Sequence, residues 1–153
     1  MSSEQWAAWA DAALQAFDEV LQAGPGLRSR AGQRRMAEQV AQTLAAADLG
    51  KPAGTEDDDG TPLDGPQPNR AIAVIQAGTG VGKSLAYCAP AIALALARNT
   101  RVVISTATVA LQEQLVHKDL PALAAQMPQP FRFALAKGRG RYVCQQKLER
   151  LTG

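Results

Sequence analysis

The chain has 153 residues, 46% of them hydrophobic and 20% charged, with a formal charge of +2. These proportions are ordinary for a globular domain and exclude a disordered chain, a collagen and a disulfide scaffold. The charge is uneven: residues 1–68 carry −6 and residues 69–153 carry +8, which suits the second half to a polyanionic partner, with a solvated basic surface as the alternative. Alanine fills 30 positions and aromatics make up 5%, which favours helix and leaves few large side chains for a core. No apolar run reaches the roughly 18 residues of a membrane span, so no membrane partner is expected. Met1–Trp6 has neither the basic nor the apolar part of a secretory signal. Cys88 and Cys144 show no framework spacing, and a reduced, cytoplasmic setting is the expectation.

Trp6, Ala10, Ala13, Phe17 and Leu21 recur at helical spacing over 4–22, and Gly24-Pro25-Gly26 stops that helix. A second helix is predicted over 33–47, with Met36, Val40 and Leu44 on one face. Residues 50–69 are rich in Pro, Gly and Asp and read as a flexible insert. Ala71-Ile72-Ala73-Val74-Ile75 runs into a Gly-rich turn and predicts a buried parallel strand. A helix over 83–97 follows, with Pro90 an internal irregularity that should kink it. Arg101–Ser105 predicts a second strand, and Thr108 the N-cap of a helix over 109–117. Asp119-Leu120-Pro121 opens a short helix, and the alternation of Phe131, Phe133 and Leu135 predicts a third strand. Strands alternating with helices predict an α/β fold: a parallel sheet with flanking helices, preceded by two N-terminal helices.

The strongest chemical signal is Ala77-Gly78-Thr79-Gly80-Val81-Gly82-Lys83-Ser84, between a predicted strand and a predicted helix. It fits the phosphate-binding loop pattern, with Ala77 where the strict form has Gly. The glycines let successive N–H groups turn inward, and the helix that starts there adds free N–H groups and a positive dipole end. Lys83 supplies charge for the β and γ phosphates, and Ser84 offers a hydroxyl to Mg²⁺. This identifies nucleotide binding and leaves the reaction open. No carboxylate follows the third predicted strand, and Glu113 and Asp119 sit in or beside predicted helices, so a hydrolytic centre is incomplete here.

Four further stretches join this loop in a fixed order. Arg30-Ala-Gly-Gln33-Arg-Arg-Met36 precedes it, and Ser105-Thr106-Ala107-Thr108-Val109-Ala110-Leu111-Gln112-Glu113-Gln114-Leu115 follows it. Lys118–Pro121 and Lys137-Gly138-Arg139-Gly140-Arg141-Tyr142-Val143-Cys144 come after. Together they resemble the N-terminal part of DinG-type helicases, relatives of the XPD group within superfamily 2. The resemblance implies a partial RecA-like motor domain that binds ATP and Mg²⁺. Residues 1–49 then hold two helices with an adenine-reading glutamine, Gln33. Residues 50–69 are an insert, and 70–153 begin motor domain 1 up to the start of an iron–sulfur region. Residues 77–84 match the motif that binds ATP, with Lys83 and Ser84 in the catalytic roles. Residues 105–115 match the motif whose hydroxyls, here Thr106 and Thr108, hold single-stranded DNA. The alternative for both threonines is plain capping.

Lys137, Arg139 and Arg141 are expected on the DNA together with Arg132, and Tyr142 as a stacking face, with a core tyrosine as the alternative. Cys144 matches the first of four ligands of a [4Fe-4S] cluster, and Cys88 reads as a small core residue. Gln76 departs from the Glu common before the loop in that family. The resemblance also implies that the chain is the N-terminal fragment, inactive when alone, of a longer 5′→3′ DNA helicase of repair or replication type. It would act as a monomer on single strands and duplex junctions. A stand-alone nucleotide- or DNA-binding module without turnover is the alternative, and a kinase with a small-molecule acceptor is another.

Overall fold

The computed structural model describes residues 3–48 and 70–152. The acidic insert predicted at 50–69 lies outside the described residues. Three helices form the body: α1 (Ser3–Ala23), α2 (Ala31–Ala46) and α3 (Lys83–Ala97). Each of the three packs against the other two. Then come α4 (Val109–Gln114), a π-helical turn at Leu115–Asp119, α5 (Leu120–Gln126), a 3₁₀ turn at Arg139–Arg141 and α6 (Gln145–Thr152).

Alanine shapes the packing. The buried row of α2 is Gln33, Ala37, Ala41 and Ala45, spaced one turn apart, while Met36, Val40 and Leu44 stand half-buried beside it. Small residues at i, i+4 spacing form a flat ridge that lets a neighbouring helix approach closely. The larger side chains come from α1 and α3: Phe17, Val20, Leu21, Cys88 and Ile92 fill the main cluster, with Leu115, Leu123 and Met127 closing it from the C-terminal half. Pro90 is fully buried, and α3 runs on through it. Arg98 fastens the far end of this body. Its guanidinium donates to the carbonyls of Leu44 at 3.3 Å and Ala47 at 2.9 Å, and lies 4.5 Å from the centre of the Trp9 ring.

The predicted parallel sheet is overturned. Among the described residues there is no strand and no ladder. Residues 70–78, 101–106 and 130–138, which hold the three predicted strands, lie outside every helix and pair into no sheet. Ile72 is 86% exposed, Val74 95% and Val103 91%, the reverse of a strand covered on both faces. The physical reason is that an apolar run signals a wish for burial, whereas a strand exists only through the N–H and C=O groups of a neighbour. The segments at 101–106 and 131–136 do share surroundings, since both line one cavity of about 690 Å³ over Ile92 and Leu96 of α3. Helices close their hydrogen bonds within themselves, and the sequence reading placed α1 to α5, whereas α6 was not among its elements.

Candidate functional site: a phosphate loop and a polar cavity

The loop at 77–84 leads directly into α3. Gly80 and Gly82 have φ of 80° and 83°, in the left-handed region where a side chain is strained. Gly82 is the N-cap of α3, and no side chain caps the helix there, so the first N–H groups of a 15-residue helix face the loop. Lys83 Nζ donates to the carbonyls of Ala77 and Gly78, each at 3.0 Å. The cation thus bridges the loop that it opens onto and is placed to exchange those carbonyls for phosphate oxygens. Thr79 is exposed and Val81 half-buried.

Ser84, the next residue, is half-buried, one turn before Tyr87, whose phenol is pushed above its ordinary value by burial. Mg²⁺ bound with a nucleotide needs few protein ligands, because phosphates and waters complete its shell. A single hydroxyl oxygen at this position fits that chemistry. Cys88, one turn further into α3, is fully buried, and burial pushes its thiol up to about 12. It is a core residue, as its sequence context predicted.

Gln33 sits 5% exposed in the first turn of α2, and its Nε2 donates to the Gly82 carbonyl at 3.0 Å. Its Oε1 is buried without a partner. The amide therefore reaches the phosphate loop across 49 residues of sequence and keeps one acceptor in reserve. Arg30, one turn earlier, donates to the Gly80 carbonyl. Sequence reasoning missed Arg30 as a site residue. Nothing periodic announced it, because Arg30 is the N-cap of α2 with extended backbone (φ −117°, ψ 136°), and only its nearness in sequence to Gln33 links the two.

The residues expected on DNA come together in a second place. Thr106, Thr108, Lys137 and Arg141 line a polar cavity of about 170 Å³, with Ala107, Val109, Gln112 and Gly138. Thr108 caps α4, accepting from the Leu111 N–H at 3.3 Å. Thr106 donates to the Thr108 carbonyl at 3.2 Å. The Thr108 proton has no use in the cap and can serve an incoming oxygen. Tyr142 is 59% exposed, and its hydroxyl accepts from the Lys137 N–H at 2.9 Å, which places the ring on the surface rather than in the core. Arg139 opens the 3₁₀ turn, and its side chain lies outside the described residues. Arg132 lines the larger cavity instead.

The sequence reading set Glu113 aside as a poor candidate for a hydrolytic carboxylate and gave it no other role. Its carboxylate takes Lys137 Nζ at 3.2 Å on Oε1 and His117 Nε2 at 2.9 Å on Oε2. The Lys137 hydrogen bond and charge, and then His117, hold it below the usual carboxylate range. Cys144 is exposed, just before α6. Among the described residues no group of three His, Cys, Asp or Glu could hold a metal ion, and the other thiol is the buried Cys88. The donors present do not fit a four-thiolate cluster. No helix among the described residues is long and apolar enough to cross a membrane.

The comparisons with known proteins point to one class. Residues 67–139 match the DEAD/DEAH box helicase family, a stretch that takes in the phosphate loop and most of the polar cavity. The relatives are more particular. The chain is 60% identical over 74 residues to the ATP-dependent DNA helicase DinG of Photobacterium profundum, covering 48% of this chain and 11% of that protein. It is 54% identical over 79 residues to the ATP-dependent helicase DinG of Mycobacterium tuberculosis, covering 49% and 12%. With the DinG helicase of Salmonella typhimurium the identity is 42% over 128 residues, covering 84% of this chain and 15% of that one. The chain is therefore similar to part of a DinG-type helicase, as its motifs indicated, and spans 11–15% of the length of these relatives. No solved structure matches it.

Proposed function

We propose that this chain is the front of an ATP-dependent DNA helicase, holding the ATP phosphate loop and part of the path of single-stranded DNA. The observation that carries the reading is the loop. Two left-handed glycines, an uncapped helix start and Lys83 lie together, and α2 is tied to them through Gln33 and Arg30. The relatives' printed names supply ATP and, for two of the three, DNA.

The residues take simple roles. The N–H groups of 78–84 surround the phosphates, Lys83 neutralises them, and Ser84 is the protein's ligand to the magnesium ion, which screens phosphate charge when bound. Gln33 offers the adenine edge its free Oε1, and its Nε2 reports whether the loop is in place. Thr106, Thr108, Lys137, Arg139 and Arg141 form a sequence-blind seat for the strand backbone, with residue types suited to phosphate and none that reads a base edge. On this reading the helicase is a monomer that moves 5′→3′ on single strands and at duplex junctions, in repair or replication. Residues 1–49 then carry the adenine-reading glutamine and residues 70–153 begin motor domain 1, on either side of the 50–69 insert. It works in the cytoplasm, where thiols such as Cys88 and Cys144 stay reduced. Cys144 is exposed and available as one thiolate of an iron–sulfur centre, and no step is assigned to that centre.

The test is binding by the chain itself. Mg·ATP should bind measurably by calorimetry, and Lys83→Ala should weaken it at least about tenfold, since a charge-assisted contact of about 1.5–3 kcal/mol is lost. Fluorescently labelled oligothymidine should bind with an affinity that falls as salt rises. An Mg·ATP affinity untouched by Lys83→Ala removes the nucleotide assignment, and oligothymidine binding indifferent to salt removes the DNA assignment.

A further inference from the structure

The polar cavity that gathers the expected DNA contacts carries an acidic group at its edge. Glu113 lies on α4 beside Gln112, which lines the cavity, and it pairs with Lys137, which lines it too. Its second oxygen is held by His117, so the carboxylate is steered from both sides rather than free to swing into solvent. The Lys137 side chain is 35% exposed and the Glu113 side chain 41%, so the pair is accessible to an ion arriving from solution. We propose that Glu113 is a built-in competitor for the strand phosphate that Lys137 is set to hold, keeping this seat weak enough for the strand to move through it. This rests on the reading of the cavity as part of the DNA path.

The argument is electrostatic. A lysine releases a counterion from nucleic acid only to the extent that its charge is free to neutralise a phosphate. While Glu113 stays on Lys137 the pair is close to neutral, and an incoming phosphate must either displace the carboxylate or lie beside it. Exposed pairs of this kind are weak, so displacement is possible. It is also reversible, because the carboxylate, still held by His117, remains beside the lysine when the phosphate leaves. A seat built only from Lys137, Arg141 and the two hydroxyls would have no such restoring partner. A purely structural role for Glu113, holding Lys137 in position, predicts the opposite sign, because loosening Lys137 would weaken binding.

The experiment is a salt series of oligothymidine binding by fluorescence anisotropy, with the unaltered chain, Glu113→Gln, Lys137→Ala and the double variant. Glu113→Gln keeps the size of the side chain and an acceptor oxygen for Lys137 while removing the charge. It should bind about two- to fivefold more tightly, the range set by an exposed ion pair. Its salt slope should steepen by up to about 0.7, one more phosphate contact on a single strand. The gain should vanish in the Lys137→Ala background. A Glu113→Gln variant that binds more weakly or unchanged, with the fold intact by circular dichroism, overturns the proposal. So does a gain of equal size without Lys137, which would be a general charge effect. If Lys137→Ala weakens binding while Glu113→Gln changes nothing, only the competitor falls. If neither the unaltered chain nor any variant binds, the DNA seat falls with it.

Discussion

Gly82→Ala is the sharpest perturbation of the phosphate loop. At φ 83° an alanine sits in the left-handed region, at a cost of about 1–2 kcal/mol. The new Cβ would also lie 2.3 Å from Gln33 Nε2 and 3.1 Å from its Cδ, far inside contact distance. Gln33 is buried, so its amide can yield only by giving up the Gly82 carbonyl, a further loss of about 1–2 kcal/mol. The expected total is about 2–4 kcal/mol in a urea titration. Gly80→Ala is the control: its φ is 80° but nothing lies within 4 Å of the added carbon, so only the backbone cost of about 1–2 kcal/mol applies. In a Gln33→Ala background the cost of Gly82→Ala should fall to the same backbone level, because the obstructing amide is gone. If Gly82→Ala proves no more costly than Gly80→Ala, or if removing Gln33 gives no relief, the clasp between α2 and the loop does not exist in solution.

Other outcomes follow from the same contacts. Phe17 is fully buried at the centre of the main cluster, and Phe17→Ala should cost about 3–5 kcal/mol in the same titration. Thr108→Ala removes the cap of α4, which should cost about 1 kcal/mol and also weaken oligothymidine binding; loss of stability without loss of binding would assign Thr108 to capping alone. At neutral pH a maleimide should label Cys144, which is exposed, and spare Cys88 until the chain is unfolded, a difference read by mass spectrometry. The Glu113 carboxyl is held below its ordinary value by Lys137, so the stability it confers is present above the ordinary carboxylate value near 4.5 and is lost as pH falls through the lower folded value. The stability difference between the unaltered chain and Glu113→Gln should therefore shrink on acidification below that value, and a difference flat from pH 7 to pH 3 would contradict it.

The helices were legible because their causes are local. Phe17 and Leu21, the Gly24-Pro25-Gly26 stop and the Thr108 cap announce themselves within a turn of chain, and the structure bears them out. The three predicted strands failed because their cause is not local. Ile72, Val74 and Val103 are apolar enough for a strand, but nothing in their own sequence specifies the register of a neighbour, and the sheet does not form. The site shows the same division. Glycine spacing and Lys83-Ser84 reveal a phosphate loop wherever they occur, whereas the reach of Arg30 and Gln33 across about 50 residues to Gly80 and Gly82 is a tertiary fact. Glu113 was visible only as a charge in a helix until Lys137 and His117 were placed on either side of it.

The central claim is that one chain holds a nucleotide at the phosphate loop and a strand backbone at the polar cavity. Amide chemical-shift mapping on the isotopically labelled chain tests it most directly. The account predicts that Mg·ATP shifts the amides of 77–84 together with those of Arg30 and Gln33, and that oligothymidine shifts Thr106–Val109 and Lys137–Arg141. Shifts from both ligands confined to one shared patch, or nucleotide shifts that bypass 77–84, would contradict it.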